Sequence, residues 1–309
     1  MICAYCRKEA KGTKEHIISC SILDLFPECF LTIDSIRQKV YPADPMVKDV
    51  CAKCNNNRIS YIDSYAKELI SNYFIRKYEK DDMLDFTYNY TLVQKMLLKY
   101  AFNDLRSHKD DTSFFNKNIL DFLMNEDILE PLRNVTVLAG LAINTSAIPD
   151  YVFGNNKIRW GKSPVFLSNS IINHLNYETG EISYRTENPH QEFKKMSFSY
   201  LFRFNSVQFL LICWDDNISD DDLKINNVVL QVQYPYTILN SQGHNKLSRC
   251  TSEITYRFEK LVDVKWGQGI LDEIIFMRGN YSDKSKKYLK EMEMRWQEQE
   301  KILAKRFHR

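Results

Sequence analysis

Glycine and proline are scarce in this 309-residue chain, at 9 and 8 residues. That excludes collagen-like, low-complexity and linker-dominated classes. No apolar run approaches the ~20 residues that span a bilayer as a helix. The first residues also lack the basic flank and apolar stretch of a secretory signal. A cytoplasmic protein with no membrane partner is therefore expected. Net charge is only +2, so composition alone gives no argument for nucleic-acid binding. Histidine is rare, with 6 in the chain, and no internal repeat is visible.

What is present belongs to a soluble globular protein: 44% hydrophobic and 27% charged residues. The length suits one large or two ordinary domains, each with a core. Charge is uneven. Arg7, Lys8, Lys11, Lys14, Lys48, Lys53 and Arg58 dot the N-terminal segment, and basic residues load the last 26 positions from Lys284. Acidic residues gather at Asp215-Asp216 and Asp220-Asp221-Asp222, which read as a solvated loop.

Four of the 8 cysteines fall into two pairs, Cys3-Ala-Tyr-Cys6 and Cys51-Ala-Lys-Cys54. A CxxC turn lets two sulfurs meet one ion, and two such turns supply the four thiolates that structural zinc prefers. The other four, Cys20, Cys29, Cys213 and Cys250, are scattered and read as reduced, partly buried thiols. Residues 1–58 carry no clean period, as expected of a segment that folds around its metal.

Beyond it the pattern becomes helical. Ile62, Tyr65, Ala66, Leu69, Ile70 and Tyr73 recur at three- and four-residue spacing. Ser60 with Asp63 resembles a capping box. Further helices are predicted over 91–107 and 114–124, with Pro131 as punctuation. From Asn134 the chain reads as strands, at 135–138, 182–185, 197–204, 207–214, 227–234 and 253–258. Asn205-Ser206 is the expected hairpin turn, and Phe198, Tyr200, Phe202 and Phe204 share a face by period two. That face reads as core rather than a base-stacking platform. His174, His190 and His244 read as surface histidines. The last segment, 284–307, is expected to be a charged helix.

Between the cysteine pairs stands Glu15-His16-Ile17-Ile18, and Asn55 directly follows the last thiol, with Arg58 three residues on. An imidazole is the natural group to take a proton from water near neutral pH. A carboxylate and an amide oxygen suit a hard cation such as Mg²⁺. The plainer readings are a structural histidine, a helix-capping asparagine and a solvated arginine. On a strand, adjacent side chains face opposite ways, so Glu15 and His16 do not share a ligand sphere trivially.

Together these residues resemble the four-cysteine branch of the HNH, or ββα-metal, endonucleases. The resemblance covers about residues 1–80. It implies structural zinc on Cys3, Cys6, Cys51 and Cys54, and His16 as general base. It further implies Glu15 and Asn55 as ligands of catalytic Mg²⁺ or Mn²⁺, and Arg58 as a contact to nucleic-acid phosphate. Glu15 stands where Asp is common. The family's middle Asn has no counterpart among Asp44, Met46 and Asp49, of which Asp49 is the candidate for its structural role. The phrase from Leu97 to Arg106 resembles a stretch that follows this domain in some bacterial members.

The expected architecture is α+β. It comprises a zinc-stabilised ββα-metal domain (1–80), a helical connector (81–131) and a strand-rich recognition or partner domain with a C-terminal charged helix (132–309). The implied function is hydrolysis of DNA phosphodiester bonds. Such nucleases keep the company of anti-phage defence systems, with a protein partner or a second copy as further partners. The alternative is a zinc-knuckle module that binds nucleic acid or protein without cutting.

Overall fold

Two short strands that lie far apart in sequence frame the N-terminal part. In the computed structural model β1 (Gly12–His16) pairs antiparallel with β4 (Met46–Cys51), Gly12 facing Cys51 and His16 facing Met46. Between Thr13 and Glu15 the register shifts, because β4 takes three steps where β1 takes two. Lys48 and Asp49 therefore form a bulge. A Cβ on Gly12 would stand 2.2 Å from the Lys48 carbonyl oxygen, so the close approach there requires glycine.

The structure describes residues 1–26, 31–34, 39–76, 78, 81–141, 193, 195–233, 236–248, 282–287, 290, 291 and 294, together with four strands between 154 and 183. The 29 residues between β1 and β4 hold α1 (Cys20–Leu23), β2 (Leu31–Asp34) and β3 (Lys39–Tyr41). After Cys51 the chain turns into a wide π-type turn, Cys54–Arg58, closed by the Ile59 N–H on the Cys54 carbonyl at 3.1 Å. Helix α2 (Ser60–Tyr73) follows, and buries Ile62, Ala66, Leu69 and Ile70 as its spacing predicts. Ser60 is not its cap. The Ser60 hydroxyl donates back to the Asn56 carbonyl at 2.7 Å, and Asp63 is engaged by α3.

β5 (Met83–Thr87) leads into α3 (Tyr90–His108), capped by Asn89, whose side chain accepts from the Leu92 N–H at 3.0 Å. This helix is buried nearly all round, from Thr91 to Leu105. It reads as a central core helix. α4 (Lys117–Met124) is capped by Asn116.

The large sheet is formed mainly by the second half. It comprises β6 (Val135–Leu141), β7 (Gly154–Trp160), β8 (Val165–Ser170), β11 (Met196–Phe204), β12 (Val207–Trp214) and β13 (Thr237–Ile238), beside β2 and β3. Besides β1–β4, two small pairs lie outside it: β9 (His174–Leu175) with β10 (Ile182–Ser183), and β5 with β14 (His244–Ser248). β2 pairs with β7, and β5 with β14, so the first and second halves share strands. Among the described residues the larger apolar cluster runs from Cys3 to Leu247, and a smaller one gathers around Trp214 and Leu230.

The hairpin β11–β12 turns at Asn205-Ser206, with Asn205 at φ 51°. Asn205 Nδ2 donates to the Phe74 and Ile75 carbonyls at 2.8 and 2.7 Å, and the Ser206 hydroxyl donates to Phe74 at 3.0 Å. The turn thereby caps the open end of α2. Tyr200, Phe202 and Phe204 are buried, as the core reading requires.

One element departs from expectation. Residues 227–234 are predicted as a strand, yet they lie largely in α5 (Asp220–Gln233). The three aspartates in its first turn favour the helix dipole, and Ser219 accepts from the Asp222 N–H at 3.1 Å. The acidic cluster is thus partly a helix start rather than a loop. The strand predicted at 253–258 lies outside the described residues, as does most of the charged segment 284–307. Among the described residues, no helix is long and apolar enough to cross a membrane.

Candidate functional site

Two turns and a strand end bring the four thiols together. The Cys3–Cys6 knuckle is closed by the Arg7 N–H on the Cys3 carbonyl at 3.0 Å, with Arg7 at φ 59°. It is tied to β4 by the Ala4 N–H on the Asp49 carbonyl at 2.8 Å. Cys51 ends β4 and Cys54 opens the π-type turn. Their ligand atoms all lie within 4.8 Å of one another, and Cys3, Cys51 and Cys54 are buried.

Cys6 Sγ and Cys51 Sγ are 3.9 Å apart, far beyond a disulfide of about 2 Å. A zinc–thiolate bond of about 2.3 Å gives a tetrahedral edge of about 3.8 Å. The Cys51 N–H points at Cys3 Sγ at 3.4 Å, the kind of amide donation that steadies a ligating sulfur. Burial pushes the Cys3 thiol up, but the amides of Cys51, Cys6 and Tyr5 outweigh it and bring it down to about 7. Burial pushes Cys54 up, and the neighbouring thiols add to that. Four thiols this close cannot all ionise without a cation among them, and the geometry suits a tetrahedral ion such as zinc.

The knuckle is anchored by a residue inside it. Tyr5 is buried, meets Phe102 edge-on at 5.3 Å, and donates its hydroxyl to Asn103 Oδ1 at 2.9 Å. The Arg106 guanidinium lies 5.3 Å from the Tyr5 ring centre and reaches Asp49 on the β4 bulge. Arg106 also donates to Asn103 Oδ1 at 2.5 Å.

Glu15 points into this interior. Its Oε1 is 2.9 Å from Lys99 Nζ and 3.4 Å from Asn103 Nδ2. Lys99, with a fully buried side chain, also reaches Asp63 Oδ2 at 2.6 Å, and Asp63 Oδ1 accepts from the Tyr100 hydroxyl at 3.1 Å. Two carboxylates thus share one ammonium. Burial, with the charge of Asp63 added, holds the Tyr100 hydroxyl well above its ordinary value.

His16 closes β1 with its side chain 31% exposed and Nε2 3.7 Å from Asp44 Oδ2. Its main chain is fixed, because its carbonyl accepts from Asn103 Nδ2 at 3.0 Å. Directly after it, the Ile17 N–H donates to the Pro45 carbonyl at 3.0 Å, and Ile17 and Ile18 are buried. A partly exposed imidazole is thereby set on a fixed main chain.

Asn55 turns its amide nitrogen to β1, donating to Thr13 Oγ1 at 3.1 Å and the Lys14 carbonyl at 3.0 Å. Its oxygen is the atom with which it could meet a cation. Arg58 is half-buried, with Nη1 3.8 Å from Met124 Sδ. No family model, curated protein or solved structure matches this chain.

Sequence reasoning brings out the four cysteines, Glu15, His16, Asn55 and Arg58. It misses Tyr5, Lys99, Asn103 and Arg106, which hold them. The signal for the last three was their spacing: Lys99, Asn103 and Arg106 follow one another at four and three residues along one side of α3. Cys20 and Asp44, beside His16, were also passed over.

Proposed function

We propose that this chain is a metal-dependent nuclease that hydrolyses DNA phosphodiester bonds, with His16 as general base. The observation that carries the reading is His16 itself. It is a half-exposed imidazole at the end of a strand pair followed by a helix, its main chain clamped by Asn103 beside a four-thiol cluster. In this reading the thiols hold structural zinc, and the zinc fixes β4 and the helix start that bears Asn55.

Glu15 and Asn55 are the residues that would hold Mg²⁺ or Mn²⁺, Asn55 by its oxygen and Glu15 by the oxygen not given to Lys99. Such an ion supplies charge stabilisation at the phosphate and the leaving oxygen. His16 takes the proton from the attacking water. Arg58 meets a phosphate oxygen. The strand-rich half would read the target or a partner, in keeping with a defence system.

One observation favours a second reading, a zinc-knuckle module that binds nucleic acid or protein without cutting. Lys99 already supplies Glu15 with the positive charge a metal would bring. Nicking of supercoiled plasmid by wild type and His16→Ala decides between them. Mg²⁺- or Mn²⁺-dependent nicking lost in His16→Ala supports the nuclease. Metal-independent DNA binding with no cleavage at any metal concentration supports the module.

A further inference from the structure

Beside the nuclease site, three different ligand types converge that the reading above leaves unused or uses otherwise. His16 ends β1, Cys20 opens α1, and Asp44 precedes β4. The Ile17–Pro45 hydrogen bond draws residue 16 next to residue 44. Ser19 then starts α1, accepting from the Ser21 N–H at 3.3 Å, and brings Cys20 round to the same place. The three ligand atoms all lie within 4.8 Å of one another.

The separations fit a metal better than a hydrogen-bonded triad. His16 Nε2 to Asp44 Oδ2, at 3.7 Å, is too long for a hydrogen bond. Bonds of about 2.0–2.2 Å from one tetrahedral ion would place nitrogen and oxygen about 3.4 Å apart, a small rotation away. Cys20 Sγ lies 3.5 Å from Asp24 Oδ2, a long contact for a weak S–H donor, and is at the surface. With His16 31% and Asp44 19% exposed, water can reach the place and fill a fourth position.

We propose that His16, Cys20 and Asp44 form a second divalent-metal site, distinct from the four thiols, for a borderline ion of the Zn²⁺ kind. Imidazole and thiolate favour Zn²⁺ and its late first-row neighbours, whereas Mg²⁺ demands oxygen ligands in an octahedron. Occupancy ties up the His16 imidazole, so it is inhibitory: an ion on His16 removes the group that takes the proton from water. The inhibitory consequence rests on the general-base reading of His16. The site itself does not.

Two measurements on the full-length protein test this. Metal per chain is determined at controlled free Zn²⁺ for wild type, Cys20→Ser and Asp44→Asn. Wild type is expected to take one ion beyond that of the four-thiol cluster, and each variant to bind that additional ion at least about tenfold more weakly. Equal stoichiometry and affinity in all three would overturn the site. Plasmid nicking in Mg²⁺ is then followed as Zn²⁺ is added. Wild type should lose activity as the additional ion binds, while Cys20→Ser, with basal activity unchanged, keeps it to at least about tenfold higher Zn²⁺. Equal inhibition of both would overturn the inhibitory role. If no form nicks DNA, the nuclease reading has failed, and the metal stoichiometry still decides the site.

Discussion

Replacing Lys99 with methionine removes the one ammonium on which Glu15 and Asp63 converge. The side chain is fully buried, Glu15 is 6% exposed and Asp63 25%. Among the described residues Glu15 would keep only the Asn103 amide, at 3.4 Å. Breaking a buried pair by removing one partner costs about 3–5 kcal/mol, because the other charge remains buried without compensation. That is a large part of the roughly 5–15 kcal/mol by which a domain is stable. Urea unfolding followed by circular dichroism measures the loss. The double variant Lys99→Met/Glu15→Gln should recover at least about half of it, since a neutral amide no longer needs the ammonium. A loss below about 1 kcal/mol, or a double variant no better than the single, would refute the reasoning.

Three further outcomes follow from neighbouring parts of the molecule. Lys95 Nζ donates to the Asn125 and Ile128 carbonyls at 2.7 and 2.9 Å, and burial lowers it to about 8 from 10.5. The unfolded chain therefore holds this proton to higher pH than the folded one, so stability rises with pH from about 8 toward 10. Above 10 the buried Tyr65 and Tyr90 hydroxyls, held protonated by burial, act in the opposite sense. Lys95→Met should flatten the rise in urea midpoints measured between pH 8 and 10. Chelation, or Cys51→Ser, should release the ion of the four-thiol cluster and unfold the N-terminal part, as read by metal content and proteolysis across residues 1–58. Asn103→Ala leaves the Tyr5 hydroxyl and the His16 carbonyl without their buried partner. Each such group costs about 1–3 kcal/mol, and both this variant and Asn103→Asp, which has no N–H to give the His16 carbonyl, should lose activity at matched folded fraction.

The cysteine cluster was legible because CxxC spacing is a geometric requirement that sequence states directly. The helices at 60–73 and 90–108 were legible from their apolar period, and β12 from its apolar run over Phe209–Trp214. The polar side of α3 was not. Gln94, Lys95, Lys99, Asn103 and Asp104 look like a solvent face, yet all are buried. Their partners include Glu15, Asp63, Tyr5, Tyr200 and main-chain carbonyls 30 or more residues away, and no local pattern announces such pairings. The helix α5 was hidden for a related reason: Val228-Val229-Leu230 has strand character, and the aspartates that start the helix lie outside that window. Asp44 was invisible as a neighbour of His16 because the Ile17–Pro45 hydrogen bond that brings them together spans the whole insertion between β1 and β4, and Cys20 is brought round by the start of α1.

The account rests most on His16 acting as a base, and single-turnover cleavage of a labelled DNA duplex tests that most directly. Wild type and His16→Ala are compared in Mg²⁺ and in Mn²⁺, after metal analysis shows that both retain the ion of the four-thiol cluster. The account predicts divalent-dependent cleavage by wild type and a loss of at least about a hundredfold in rate for His16→Ala. Cleavage undiminished in His16→Ala would contradict it.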